Sequence, residues 1–229
     1  MQAPVVVFVS PPCASTNAWG RVVDVLENDN VVTRSVQLPS CVPGSTDDDA
    51  TALRAALDKV GEPVVLVGHS SGGFVITEAG DQPNVRHLVY MDAIMPDAGE
   101  PITKFMGRVD SSFASAFRMK GEFVWFDADA LTAHLTDRGW LADDAREFAG
   151  AFRRQRVSGT VIEPTHVAWR SVPSTLIRAS DSEMDRDVQD LCARRAERVV
   201  EIGGDHFPNW RRPDEIAGII KKIVDELST

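Results

Sequence analysis

The sequence alternates short, almost wholly apolar runs with amphipathic segments, and this alternation restricts the folds open to the chain. Apolar runs rich in valine and bounded by turn residues are typical of strands buried on both faces of a parallel sheet. Six runs of this kind predict six strands: Val5–Ser10, Val31–Leu38, Val64–Gly68, Val85–Asp92, Ser174–Ser180 and Arg198–Gly203.

The segments between these runs carry apolar residues at helical spacing. We predict helices over Asn17–Asn28, Asp47–Val60, Ser71–Ala79 and Arg212–Leu227. Strands alternating with helices indicate an α/β fold, a mostly parallel six-stranded sheet with helices on both faces and right-handed crossovers.

The alternation breaks between about residues 101 and 172, where no comparable strand run occurs. This segment holds seven of the ten phenylalanines, Phe105 to Phe152, together with Trp125, Trp140 and Trp169. We interpret it as a mostly helical lid inserted into one domain that spans residues 1–229. Ligands of such folds bind at the carboxyl edge of the sheet, so an aromatic insertion there is expected to wall a pocket.

Charge and composition exclude several classes of partner. The 24 basic and 34 acidic residues give a net charge of −10, which disfavours nucleic acid or an anionic membrane surface as the main partner. The three cysteines, Cys13, Cys41 and Cys192, are too few for a disulfide scaffold and form no C-x-x-C zinc motif. No apolar run approaches a membrane span, and the N-terminus resembles a strand rather than a signal peptide. We therefore expect a soluble cytoplasmic protein that needs no metal.

A nucleophile motif follows the third predicted strand. Gly68-His69-Ser70-Ser71-Gly72 matches G-x-S-x-G between a strand and a helix. A serine hydroxyl is a poor nucleophile unless it is held exposed beside a base, and a sharp strand-to-helix turn does this. We expect Ser70 to have a strained backbone conformation. Gly68 and Gly72 should be small because side chains there would collide with the strand and the helix. The Ser71 amide, at the helix N-terminus, should face a developing oxyanion.

The base and the orienting acid should follow later strands, in the order Ser, Asp or Glu, His. His206 lies after the last strand in Gly203-Gly204-Asp205-His206, where a general base can reach Ser70. The acid is expected just after the preceding strand. Asp181 is the first carboxylate there, while Glu183 and Asp185 remain alternatives, and Asp185 could instead cap the following helix.

These motifs together resemble the α/β-hydrolase fold family, and within it the small-lid group of methylesterases, hydroxynitrile lyases and bacterial esterases. Besides the Ser70 and His206 motifs, Leu38-Pro39-Ser40 and Val89-Tyr90-Met91-Asp92-Ala93 through Met95-Pro96 carry the likeness. The resemblance implies Ser70 as nucleophile, Asp181 as acid, His206 as base, and hydrolysis of carboxylic esters without a cofactor.

Two positions depart from the group's pattern. The group carries His-Gly after its first strand, and the next amide is the second oxyanion donor, whereas this loop reads Ser10-Pro11-Pro12-Cys13. Proline has no N–H, so Pro12 cannot donate, and the Cys13 amide or the Ser10 hydroxyl would have to replace it. Cyanohydrin-cleaving members of the group have a lysine directly after the catalytic histidine, whereas in this chain Phe207 follows His206.

The sequence thus predicts a serine hydrolase for a small hydrophobic ester, thioester or lactone. The alternative is a non-hydrolytic member of the fold, either a lyase, a cyclase or a ligand-binding protein, because of Pro11-Pro12. The physiological substrate and the oligomeric state stay open.

Overall fold

The six apolar runs form one parallel sheet. The computed structural model describes residues 2–11, 13–45 and 47–228. Its strands are β1 (Val5–Val9), β2 (Thr33–Val36), β3 (Val64–His69), β4 (Val85–Met91), β5 (Phe117–Lys120), β6 (Phe123–Phe126), β7 (Gln155–Arg156), β8 (Ser174–Ala179) and β9 (Arg198–Ile202). The larger sheet has the order β2-β1-β3-β4-β8-β9, and all five neighbouring pairs are parallel. The α/β class and the six-stranded sheet are confirmed.

Helices connect these strands across both faces of the sheet. They are α1 (Gly20–Asn28), α2 (Asp49–Leu57), α3 (Gly72–Ala79), α4 (Ser111–Ala114), α5 (Ala128–Asp137), α6 (Ala142–Ala149), α7 (Arg186–Ala193), α8 (Pro208–Arg211) and α9 (Pro213–Ser228). The predicted helices therefore form within a few residues of their expected bounds. Among the described residues, no helix is both long enough and apolar enough to span a membrane.

Alternating side chains of the central strands pack into two separate cores, one on each face of the sheet. In β1, Val5, Val7 and Val9 face the core shared with α2, α3 and α7, whereas Val6 and Phe8 face the core shared with α1 and α9. Every residue of β1, β3 and β8 is buried, as expected for strands covered on both sides. This packing fixes the carboxyl ends of β3, β4 and β9 along one edge.

The inserted segment differs from the prediction in its content. Besides α4, α5 and α6 it holds an antiparallel sheet in the order β5-β6-β7, so it is mixed rather than mostly helical. Its buried aromatic residues Phe113, Phe126, Trp140 and Phe148 belong to a third core. This core also includes residues from outside the insertion: Cys13, Phe207 and Trp210. Phe105 is an exception, because it packs on Phe74 of α3 with ring centroids 5.9 Å apart.

Candidate active site

Ser70 occupies the sharp turn between β3 and α3. Its φ is +57°, a left-handed conformation that costs a non-glycine residue about 1–3 kcal/mol and persists only where the surroundings enforce it. The Ser70 N–H donates to Met91 O at 3.4 Å, and the Ile94 N–H donates to Ser70 O at 3.1 Å. The chain after β4 therefore clamps the turn, and the predicted backbone strain is confirmed.

The glycines around the turn match the prediction at Gly68 but not at Gly72. A Cβ at Gly68 would lie 3.0 Å from Ile76 Cδ1, so this position needs a small residue. A Cβ at Gly72 would meet nothing within 4 Å, and the predicted collision there is wrong. The tight approach is at Gly73, where a Cβ would lie 1.9 Å from Ile94 O. Gly73 thus allows the segment after β4 to pack against the start of α3.

His206 lies beside the turn with its imidazole fixed by Asp92. The His206 Nδ1 is 2.5 Å from Asp92 Oδ2, and both side chains are buried. Asp92 also accepts hydrogen bonds from the Ala179 N–H at 3.2 Å and from the Ser182 hydroxyl. An ionised carboxylate satisfied in this way holds the proton on Nδ1 and leaves Nε2 free to act as a base.

Asp181 does not contact His206, so its predicted place beside the histidine is wrong in this structure. Its side chain is exposed and accepts a hydrogen bond from Ser180 Oγ at 3.1 Å. Its backbone is fixed by the Asp181 N–H, which donates to Gly204 O at 2.9 Å, and by Arg138, which donates to Asp181 O. Asp181 lines a polar groove of about 610 Å³ together with Arg138 and Gly204.

Neither of the two alternative acids, Asp185 and Glu183, contacts the His206 ring. Asp185 caps α7 by accepting from the Asp187 N–H at 2.8 Å, as the sequence suggested. Glu183 is buried and its Oε2 accepts the backbone N–H of His206 at 2.8 Å, so it contacts the main chain of the histidine and not its ring.

Asp92 could have been found from the sequence. It follows a buried strand directly and belongs to a motif that carries the family resemblance, although the order of the motifs placed the acid one strand later, after β8. In the sheet, β4 lies between β3 and β8, so its carboxyl end is next to Ser70. Asp92 has φ +39°, and this turn directs the carboxylate across the edge toward His206.

The charges around His206 determine its protonation. Burial lowers the pKa of His206, but the hydrogen bond and charge of Asp92, together with the charges of Glu183 and Asp205, outweigh it and leave the pKa raised. The neighbouring His69 ring lies 4.6 Å away, centroid to centroid, and its Nε2 is 2.7 Å from His206 O. Burial and repulsion from His206 hold the pKa of His69 well below its usual range, so His69 is a neutral donor.

The Ser70 hydroxyl and His206 Nε2 are both among the described residues, and no hydrogen bond joins them in the structure. Contacts of this kind are often long without substrate and tighten when it binds. The Ser71 N–H at the start of α3 likewise has no acceptor in the described part of the chain, so it is free to donate to a ligand.

In the loop expected to supply a second oxyanion donor, the candidate groups of Cys13 and Ser10 make hydrogen bonds within the protein. Pro12 lies outside the described residues. The Cys13 N–H donates to Gln155 Oε1 at 3.2 Å, and its buried thiol approaches the same oxygen at 3.3 Å. The Ser10 hydroxyl accepts from the Leu38 N–H at 3.0 Å. Cys13, Cys41 and Cys192 are all free, buried thiols.

The comparisons with known proteins agree with this architecture. The profile of the alpha/beta hydrolase family matches residues 6–219. An alpha/beta hydrolase, nvfD, of Aspergillus novofumigatus is 31% identical over 221 residues, covering 88% of this chain and 87% of that protein. A carbendazim hydrolyzing esterase of Nocardioides is 39% identical over 75 residues, 32% of this chain and 29% of that protein.

Solved structures with a similar fold include esterases. A pyrethroid hydrolase from Sphingobium faniae superposes with a TM-score of 0.81 at 20% identity, covering 98% of each chain. Polyneuridine aldehyde esterase superposes with a TM-score of 0.80 at 19% identity, covering 100% of each chain. At these identities the likeness shows the fold alone. The family profile, the 31% identical relative and the six-stranded parallel sheet together place this chain in the α/β-hydrolase family, as an enzyme of the hydrolase class with esterase-like neighbours.

Proposed function

We propose that this enzyme hydrolyses a small hydrophobic carboxylic ester, thioester or lactone through a Ser70–His206–Asp92 triad. The observation that carries the proposal is the 2.5 Å contact between His206 Nδ1 and Asp92 Oδ2 beside the left-handed Ser70 turn. Asp92 takes the role that the sequence assigned to Asp181. The esterase names of several relatives support the reaction class.

The first half of the reaction forms an acyl-enzyme. His206 Nε2 accepts the proton of Ser70 Oγ while the oxygen attacks the substrate carbonyl carbon. The Ser71 N–H donates to the resulting oxyanion at the start of α3. The proton on His206 then passes to the departing alcohol or thiol as the tetrahedral intermediate collapses.

The second half releases the acid. A water molecule gives a proton to His206 Nε2 and attacks the acyl carbon, and collapse of the second tetrahedral intermediate returns the proton to Ser70. Asp92 accepts the Nδ1–H throughout and stabilises the positive charge that the imidazole carries in both halves.

Aromatic side chains near His206 support an apolar substrate. The Phe113 and Phe207 rings lie 6.0 and 5.1 Å from the His206 ring, and both belong to the third core, formed largely by the insertion. We propose that the segment 101–172 acts as the lid over the Ser70 edge of the same catalytic unit. Phe207 in place of a lysine does not favour cyanohydrin cleavage.

A non-hydrolytic reaction is the second candidate, and the Cys13–Gln155 contact favours it. An oxyanion hole with one donor removed loses about 10²–10³ in kcat for acyl transfer. If Gln155 keeps the Cys13 amide during turnover, the Ser71 N–H acts alone, and chemistry without a tetrahedral oxyanion would be less affected.

The test is covalent labelling with a fluorophosphonate, together with turnover of p-nitrophenyl butyrate. We expect one label per chain, on Ser70, and loss of both label and turnover in Ser70→Ala. Ser158→Ala is the control, at an exposed serine whose Oγ accepts from Arg156 Nη1 at 2.7 Å. The control should still be labelled on Ser70. A folded wild-type protein with neither label nor turnover would reject the hydrolase and favour the second candidate.

A further inference from the structure

Glu183 is a buried carboxylate between the insertion and the His206 loop. Its residue is only 3% exposed, and an ion this deep needs several partners to offset its lost hydration. Its Oε2 accepts from the His206 N–H at 2.8 Å, and its Oε1 lies 2.9 Å from His134 Nε2 and 3.4 Å from Arg138 Nε. One carboxylate therefore joins the main chain of His206 to α5 of the insertion.

His206 is held at three points, and Glu183 supplies one of them. Asp92 fixes the ring through Nδ1, His69 contacts the carbonyl oxygen, and Glu183 binds the backbone N–H. Gly204, two residues earlier, has φ +107°, so the loop entering His206 includes a residue with wide conformational freedom. The hydrogen bond from the His206 N–H to Glu183 therefore helps to fix the main-chain position from which the imidazole extends.

The segment that carries Glu183 also supports Asp92. The Ser182 hydroxyl donates to Asp92 Oδ2, the oxygen that contacts His206 Nδ1. A shift of residues 182–183 would thus move both the acid and the main chain of the histidine.

The insertion holds this segment through both backbone and side-chain contacts. The Asp110 N–H donates to Glu183 O at 2.7 Å, and Val109 and Met184 form an antiparallel bridge. On the side-chain path, His134 Nδ1 lies 2.8 Å from Ser112 Oγ, which donates to Asp110 Oδ1 at 2.5 Å. The orientation of His134 is therefore fixed on both sides of its ring.

We propose that Glu183 is a positioning residue for His206 and that His134 holds the Glu183 carboxylate in place. The position of the insertion on the sheet would then determine the geometry of the general base. The inference rests on the proposed function. It adds a group that the triad does not include and gives the insertion a second role besides walling a pocket.

The test compares Glu183→Gln, His134→Gln and the double variant, with Glu163→Gln as the control at an exposed glutamate. A glutamine at 183 has one acceptor oxygen, and its NH₂ would oppose either the His206 N–H or His134 Nε2. We expect kcat for p-nitrophenyl butyrate to fall about 10- to 100-fold in Glu183→Gln, because small displacements of a catalytic group cost about that much. KM should change little.

Two further readouts separate positioning from a merely structural role. Around His206 lie Asp92, Glu183, Asp205 and His69, and Glu183 is one of the charges that raise the pKa of His206. The acidic limb of kcat/KM should therefore move to lower pH in Glu183→Gln. His134→Gln should lower kcat less, and the double variant should lose little more than Glu183→Gln, since both act through one contact.

The His206 Nδ1 proton, observed by NMR, gives a reading that needs no turnover. Its resonance should be sharp in the wild type and in Glu163→Gln, but shifted or broadened in Glu183→Gln. A folded Glu183→Gln with wild-type kcat, pH profile and resonance would overturn the inference. If that variant does not fold, an unchanged kcat and resonance in His134→Gln would overturn it instead. A wild type with the sharp resonance but no labelling of Ser70 would reject the proposed function alone.

Discussion

His206 Nδ1 and Asp92 Oδ2 lie 2.5 Å apart although the two residues are separated by 114 positions in the chain. The sheet order explains this contact, because β4 ends next to β3 and the loop after β9 crosses the edge of β8 to reach them. The acid of the proposed triad thus follows β4, the strand beside the Ser70 turn, rather than β8, whose end carries Asp181.

The raised pKa of His206 should be visible in the pH dependence of catalysis. In the proposed reaction the neutral imidazole is the base, so kcat/KM should fall as pH drops through a pKa above the usual histidine value of about 6.5. Replacing Asp92 with Asn removes a charge that raises this pKa, so the acidic limb should move to lower pH in Asp92→Asn. Profiles of kcat/KM for both proteins check the sign. A limb that moves to higher pH would contradict the electrostatic account.

Gly73 should be intolerant of any side chain. A Cβ there would lie 1.9 Å from the backbone oxygen of Ile94, so Gly73→Ala must push apart the start of α3 and the chain after β4. We expect a loss of about 3 kcal/mol or more in the free energy of unfolding. Gly72→Ala is the matched control, because a Cβ at that position meets nothing within 4 Å. Urea denaturation measures both, and equal stabilities would contradict the close approach.

Gln155 should stabilise the loop that carries Cys13. Its Oε1 accepts from the Cys13 N–H at 3.2 Å, and its Nε2 donates to Ser40 Oγ at 3.2 Å, while Ser40 in turn binds the buried Asp49. Gln155→Ala leaves a buried amide without its acceptor, which costs about 1–3 kcal/mol.

The control for Gln155 is Gln82→Ala, at a half-buried glutamine whose side chain makes no hydrogen bond within the described residues. Its free energy of unfolding should stay within about 0.5 kcal/mol of the wild type. Denaturant titration compares the two variants, and a Gln155→Ala protein as stable as the control would show that the contact is unimportant.

The sheet and its helices were predictable because their signals are local. Valine-rich runs such as Val64–Gly68 bury every side chain, and few other structures accommodate them. In the insertion the signal is weaker, because β6 is an apolar run of only four residues and its two neighbours give none. All four residues of β5 are exposed, and β7 has only two residues, so neither shows an apolar run or an alternation long enough to detect.

The candidate site was predicted only in part. Ser70 and His206 lie in motifs whose neighbours restrict the backbone, so their positions could be read from the sequence. The direction of a carboxylate depends instead on the dihedral angles of its turn, as the φ of +39° at Asp92 shows. Sequence spacing carries no such information, and Asp92, Asp181 and Glu183 all follow strands that end at the same edge.

The rate at which a fluorophosphonate labels Ser70 tests the identity of the orienting acid most directly. It should be measured by intact mass in the wild type, Asp92→Asn and Asp181→Asn. We predict that Asp92→Asn lowers the rate constant by about 10⁴, because the imidazole loses its tautomer and orientation, while Asp181→Asn labels at the wild-type rate. Slow labelling in Asp181→Asn with normal labelling in Asp92→Asn would contradict the account.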